Sequence, residues 1–158
     1  MENIRDPSEE RLQTEKKNGL FLALLVLSVL SNFIIPVGTV VVPPFTYVGI
    51  ILIGFGILMD LWPSLLFYRR KTTISPYGTP TSLVKEGPYR ISRNPIYLGM
   101  TVLLLGIAIF LGSLVTFIFP AIFFLVAEAT FIPREERSLE NTFGEDYDNY
   151  RRNVRRWI

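Results

Sequence analysis

Four long runs of uncharged residues constrain this chain more than any other feature. Residues 20–36 carry no charge, 45–66 carry only Asp60, 96–111 carry none, and 114–132 carry only Glu128. A bilayer core of about 30 Å takes about 20 apolar residues per helix. A soluble chain of 158 residues has no use for four such runs, even at 49% hydrophobic content. The expected fold is therefore all-α: a polytopic membrane bundle with four transmembrane helices at about 20–36, 45–66, 96–111 and 114–132. Residues 1–18 form a charged N-terminal tail, and 19–158 form one membrane domain.

Charge placement orients that bundle. All 16 Lys and Arg lie in the N-terminal tail, in the 69–93 segment, or from Arg134 onward. The 37–46 connection and the Gly112-Ser113 turn carry none. With four spans the three basic regions share one face, and the positive-inside rule makes that face cytoplasmic, with both termini. Lys16-Lys17 before an apolar stretch imitates a signal peptide, but the charged leader and the absence of a small-x-small cleavage motif favour a retained helix. The leader mixes both charge signs at low hydrophobicity and reads as a frayed or surface helix.

The chain has no cysteine and no histidine. Disulfides, thiol nucleophiles, imidazole bases and the usual zinc ligands are excluded together, so no metal site is expected. Serine hydrolysis through a His base is excluded too. The glycines of 49–56 lie inside a span, where they let helices approach closely, and do not form a phosphate loop. The basic residues are scattered at membrane edges without interleaved exposed aromatics, so nucleic acid is not an expected partner.

Two ordered motifs flank the last two runs. The first is Gly87-Pro88-Tyr89-Arg90-Ile91-Ser92-Arg93-Asn94-Pro95-Ile96-Tyr97-Leu98-Gly99. Asn94 before Pro95 reads as a helix start, with Asn capping free amides and Pro in the first turn. That end attracts anions, and Tyr89 and Tyr97 bracket it, as cation–π partners or as an interfacial Tyr belt. The second is Glu135-Glu136-x-x-Leu139-x-x-x-Phe143-Gly144-x-x-Tyr147-x-x-Tyr150. It reads as a short cytoplasmic helix begun near Pro133 and ended by a left-handed Gly144. Its acidic first turn complements the helix dipole. Beyond it, Tyr147, Tyr150, Val154 and Trp157 recur at helical spacing opposite Arg151, Arg152, Arg155 and Arg156. That pattern predicts an amphipathic C-terminal helix lying on the membrane surface. Asp60 and Glu128 are intramembrane acids, each either paired with a cytoplasmic Arg or facing a cavity.

The two motifs together, over about residues 75–157, resemble the isoprenylcysteine carboxyl methyltransferase family. These are integral membrane enzymes that use S-adenosylmethionine (SAM), and the wider group includes phospholipid N-methyltransferases. The resemblance implies cofactor contacts at Thr81, Ser82, Leu83, Val84, Tyr89, Asn94, Pro95, Ile96, Tyr97 and Glu135. Many family members carry His at the position of Asn94, and prenylcysteine enzymes carry an Arg where this chain has Phe131. Arg134, three residues on, can compensate from a neighbouring face, and Arg134 and Glu128 are the candidate catalytic residues. The lack of His suits the implied chemistry, because a carboxylate acceptor is already ionised and needs no general base, whereas an amine needs a carboxylate as base. The expected partner is a lipophilic acceptor entering from the bilayer. The alternatives are phospholipid N-methylation, an NADPH-dependent relative of the sterol-type reductases, and a non-catalytic membrane protein. SAM against NADPH binding separates these.

Overall fold

A computed structural model describes residues 7–35, 38–70 and 83–158. Helix α1 spans Pro7–Ile34. The charged leader from Pro7 onward thus continues the first apolar run, since Glu, Arg, Gln, Lys and Leu are good helix formers with no breaker among them. Helix α2 spans Tyr47–Arg70 with Pro63 inside it, so the Trp62-Pro63 pair, which predicts a bend or an end, does not end it. Pro63 is buried, and the Ser64 hydroxyl donates 2.9 Å to the Asp60 carbonyl at the turn that the proline disturbs. Packing holds the helix together where local preference would break it.

Helix α3 spans Pro95–Leu111 and ends at Gly112, whose φ of 73° is left-handed and whose amide returns to the Ala108 carbonyl. A tight turn at Leu114–Phe117 leads into α4, Ile118–Val126. A π turn at Ala127–Phe131 joins α4 to α5, Ile132–Phe143. The expected separate cytoplasmic helix is therefore the continuation of the fourth apolar run. Pro133 has no amide to return to the carbonyl four residues back, and the widened turn lies where that bond is missing. Gly144 (φ 47°) then turns the chain into α6, Glu145–Asn153. The expected amphipathic helix stops there: Val154 is extended (φ −127°, ψ 129°).

Among the described residues every regular element is helical, apart from one isolated antiparallel bridge between Thr39 and Ser113. Around that bridge the Val40 amide donates 2.8 Å to the Gly112 carbonyl and the Leu114 amide 3.4 Å to that of Gly38. The two connections without basic residues thus meet at one end of the bundle.

Helix α3 is the central element. Helices α1 and α4 pack on it and on each other, α2 packs along it, and α1 and α2 barely touch. Leu24, Tyr97, Leu104, Phe123, Ala127, Phe131 and Ile132 form the buried core, with Phe21 and Phe123 edge to face at 5.6 Å. The α2–α3 contact is closer. A Cβ on Gly56 would lie 2.8 Å from the Gly99 carbonyl oxygen, and one on Gly106 would lie 2.8 Å from that of Gly49. Both glycine pairs are seven residues apart in their helices, so they repeat on one face and bring the two backbones together.

The outside is apolar. Leu22, Ile51, Leu58 and Leu125 are each at least 60% exposed, within a long series of exposed Leu, Ile, Val and Phe. Such a surface exceeds what soluble monomers carry. Three helices are long and apolar enough to cross a membrane: Leu12–Ile34, Tyr47–Leu66 and Leu114–Phe143. Helix α3 is equally apolar but has 17 residues, about 26 Å of rise.

Candidate functional site

Opposite the Gly112 end, the start of α3, the loop before it, the α5 segment and the chain's last residues converge. Tyr97, 2% exposed, points from the first turn of α3 towards α5. Its hydroxyl donates a 2.6 Å hydrogen bond to Glu135 Oε1. One residue from each sequence motif is thereby joined. Phe131 lies parallel to the Tyr97 ring at 6.2 Å, so the position without an arginine is filled by a stacking contact. From α1, the Lys17 ammonium stands 5.1 Å above the Tyr97 ring and 3.9 Å from Glu135 Oε1.

Tyr89 closes the side of this group. Burial pushes its hydroxyl pKa up from the usual tyrosine range, and the nearby charge of Glu135 pushes it further. Its carbonyl accepts 2.7 Å from the Tyr150 hydroxyl, which burial likewise keeps protonated. Gly87, at φ 59°, begins the Gly87–Arg90 turn, and a Cβ there would meet Leu66 and Trp62 of α2. Glycine at this position lets the loop lie against α2.

The other expected contacts are distributed unevenly. Thr81 and Ser82 lie outside the described residues. Val84, Asn94 and Pro95 are buried, and Leu83 and Ile96 are half-buried. Asn94 does not cap α3 with its side chain. Its Nδ2 instead donates 3.2 Å to the Arg156 carbonyl, while its own carbonyl accepts the Leu98 amide. The same Arg156 carbonyl accepts from Ser92 Oγ at 3.1 Å, and the Arg93 amide donates to the Arg155 carbonyl at 3.0 Å. Both carbonyls lie in the segment that follows the extended Val154, which lays the tail against the 92–94 loop.

Arg156 also turns its guanidinium inward, away from the surface face that helical spacing gives it. It donates 2.5 Å to Glu128 Oε1, 2.5 Å to Glu136 Oε2 and 3.2 Å to Glu136 Oε1. These bonds, with Glu136 first, hold its pKa above the ordinary arginine value. Trp157 Nε1 donates 2.8 Å to Glu128 Oε2, and the Trp157 ring packs on Phe124 at 4.7 Å. Arg93 completes the network, 3.2 Å from Glu136 Oε1 and 3.4 Å from the Tyr147 hydroxyl. Two carboxylates face two guanidinium groups, so the cluster is neutral, which partly buried charge requires.

Glu128 therefore has an arginine and an indole as partners, the pairing that an intramembrane acid makes expected. Arg134 is exposed and makes no ion pair among the described residues. Asp60 differs: its Oδ1 is buried without a hydrogen-bond partner and faces Gly99, whose Cβ would meet it at 2.5 Å. Lys17, Arg93, Glu136, Arg156 and Trp157 were not candidates on sequence. The acidic Glu128 inside an apolar run was the one signal of a buried partner; nothing in the local pattern named which arginine.

A family profile described as phospholipid methyltransferase matches residues 45–146, which takes in α2 through α5 and both Tyr97 and Glu135. An uncharacterized protein of Haemophilus influenzae is 38% identical over 63 residues, 40% of this chain and the whole of that protein. No solved structure matches the chain. The profile covers well over half of the sequence and includes both halves of the Tyr97–Glu135 pair, and with the apolar exterior it makes this chain an integral membrane member of the phospholipid methyltransferase family.

Proposed function

We propose that the chain transfers a methyl group from SAM to a lipophilic acceptor, with α3 as a fourth span and the Tyr97–Glu135 end facing the cytoplasm. The observation that carries this reading is the 2.6 Å bond between Tyr97 and Glu135, which joins the two motifs in one place. The residues fit a sulfonium cofactor. A ring face and a carboxylate together favour a cation, and the Lys17 ammonium already lies at that spot. Tyr89, Tyr97 and Glu135 would hold the cofactor, Glu135 through its second oxygen and Tyr97 by fixing Glu135 Oε1. Leu83, Val84 and Ile96 supply apolar wall. Bound there, SAM would supply an electrophilic methyl carbon to an acceptor oxygen, with the C–S electron pair left on sulfur.

The protein's part is then to orient two reactants and keep water out, and proximity alone is worth roughly 7–11 kcal/mol. A carboxylate acceptor suits this end of the bundle. Glu128 and Glu136 are engaged by arginine, so neither is a free base, and a carboxylate needs none. A second reading, N-methylation of a phospholipid amine, is favoured by the family's own description. It would assign the base to Asp60, whose Oδ1 has no partner among the described residues.

Binding of SAM, S-adenosylhomocysteine and NADPH to purified protein tests the cofactor. SAM and its product are expected to bind, NADPH weakly or not at all, and Glu135→Ala is expected to weaken SAM by ~1–3 kcal/mol. Unchanged affinity in Glu135→Ala would remove its assigned role. For the acceptor, labelled SAM is offered with a fatty acid, a prenylcysteine analogue or phosphatidylethanolamine. Transfer to a carboxylate should be flat in rate from neutral pH upward, while transfer to an amine should climb.

A further inference from the structure

Lys17 stands where the proposed function needs a cation to arrive. Its ammonium is 3.9 Å from Glu135 Oε1 and 5.1 Å from the centre of the Tyr97 ring, on a side chain only 14% exposed. The lysine is therefore the counter-ion of Glu135. A sulfonium drawn to the same carboxylate would meet that ammonium at short range. Two like charges repel strongly beside a side chain that is largely out of water. Either the two cations share Glu135 at a cost, or the lysine has a second anion to go to.

Asp60 is that second anion. Its Oδ1 is buried without a hydrogen-bond partner among the described residues, which is costly for a carboxyl oxygen. It lies against Gly99 of α3, two positions beyond Tyr97. The charge of Lys17 acts on Asp60 across this space, while the ion pair it makes is with Glu135. Lysine carries its ammonium on a flexible stem with rotatable donors, so one residue on α1 can serve a carboxylate of α5 or one of α2.

We propose that Lys17 is a movable counter-ion of the cofactor site: it neutralises Glu135 before SAM binds and passes to Asp60 when the sulfonium takes its place. The proposal rests on the SAM reading of this site and adds control by charge. Affinity for SAM then depends on the difference between two lysine positions as well as on direct contacts. S-adenosylhomocysteine has a neutral thioether in place of the sulfonium and does not need to displace the ammonium. Lys17 thus sets how the site weighs the charged cofactor against its uncharged product, from a helix that precedes the segment matched by the family profile.

The test is equilibrium binding of SAM and S-adenosylhomocysteine to the full chain in detergent. Lys17→Met keeps the aliphatic stem and removes the competing charge. It should tighten SAM by at least about tenfold, the scale of repulsion between neighbouring charges near a protein surface, and leave S-adenosylhomocysteine nearly unchanged. Lys17→Arg should keep the parent's ratio. Asp60→Asn removes the second anion, so it should weaken SAM and spare S-adenosylhomocysteine, and most of that loss should vanish in the double variant with Lys17→Met. Weaker SAM binding in Lys17→Met overturns the proposal, because Lys17 would then serve the cofactor directly. Equal shifts for both nucleosides overturn it as well, since they would report structure alone, and so does an Asp60→Asn loss of equal size with and without Lys17. Should Lys17→Met not fold, Asp60→Asn decides by itself, and an unchanged SAM ratio there overturns the proposal. SAM binding that ignores both substitutions brings down the counter-ion alone, whereas binding of neither nucleoside by any of these proteins brings down the SAM reading with it.

Discussion

Adjacent glutamates in this chain have opposite duties. Glu135 is half-exposed and bonded to a single tyrosine hydroxyl, whereas Glu136 has an 11% exposed side chain shared by Arg93 and Arg156. Removing one member of a buried ion network leaves its partners uncompensated, at a cost of roughly 3–5 kcal/mol. Glu136→Ala should therefore lower the thermal midpoint sharply, while Glu135→Ala should leave it almost unchanged and lose SAM affinity instead. Equal melting curves for the two variants would contradict the division. In the sequence these residues differ by nothing except a helical phase of 100°, and the π turn just before them sets where that phase falls.

At the level of elements, the α2–α3 contact depends on small residues in register. A Cβ on Gly99 would lie within 2.9 Å of the Gly56 carbonyl and 2.5 Å of Asp60 Oδ1, but one on Gly54 would meet nothing within 4 Å. Both are helical glycines, so propensity favours alanine at each. Gly99→Ala should destabilise by about 1–3 kcal/mol through helix separation, and Gly54→Ala should be neutral or slightly stabilising. Comparison of the two variants in detergent by thermal denaturation checks the pair, and a stable Gly99→Ala would mean that the helices have room to part.

The whole molecule carries two further expectations. Tyr89, Tyr147 and Tyr150 all have hydroxyl pKa values raised above 10.0, with burial the largest cause in each. In the unfolded chain these groups lose protons near their ordinary value, while in the fold they keep them. The unfolded state then binds fewer protons, so stability falls as pH rises beyond about 10, and these groups contribute no slope at neutral pH. Denaturation midpoints measured from pH 7 to 11 should be flat and then fall, with a smaller fall in Tyr89→Phe. For orientation, reporter fusions at residues 40 and 112 should read outside and a fusion after 158 inside, since the basic ends share one face. A cytoplasmic signal at 112 would defeat the four-span arrangement.

Much of this was legible from the chain itself. Apolar runs depend only on composition and length, so the long helices and the lipid-facing exterior follow from residues 20–132 without any knowledge of contacts. Capping and turn signals are also local: Pro95 opens α3, and Gly112 and Gly144 close helices where left-handed or related backbone is needed. The motif residues Tyr97 and Glu135 were identified singly by resemblance, and their separation of 38 positions concealed that they are bonded. Local rules failed where distant groups outbid them. Pro63 stays inside α2, the tail leaves its helix at Asn153 and lends two carbonyls to the 92–94 loop, and Arg156 turns from the surface to Glu128 and Glu136. Periodicity records which face a side chain occupies in one helix; pairing among buried charges depends on which distant segments meet, and only tertiary structure decided that.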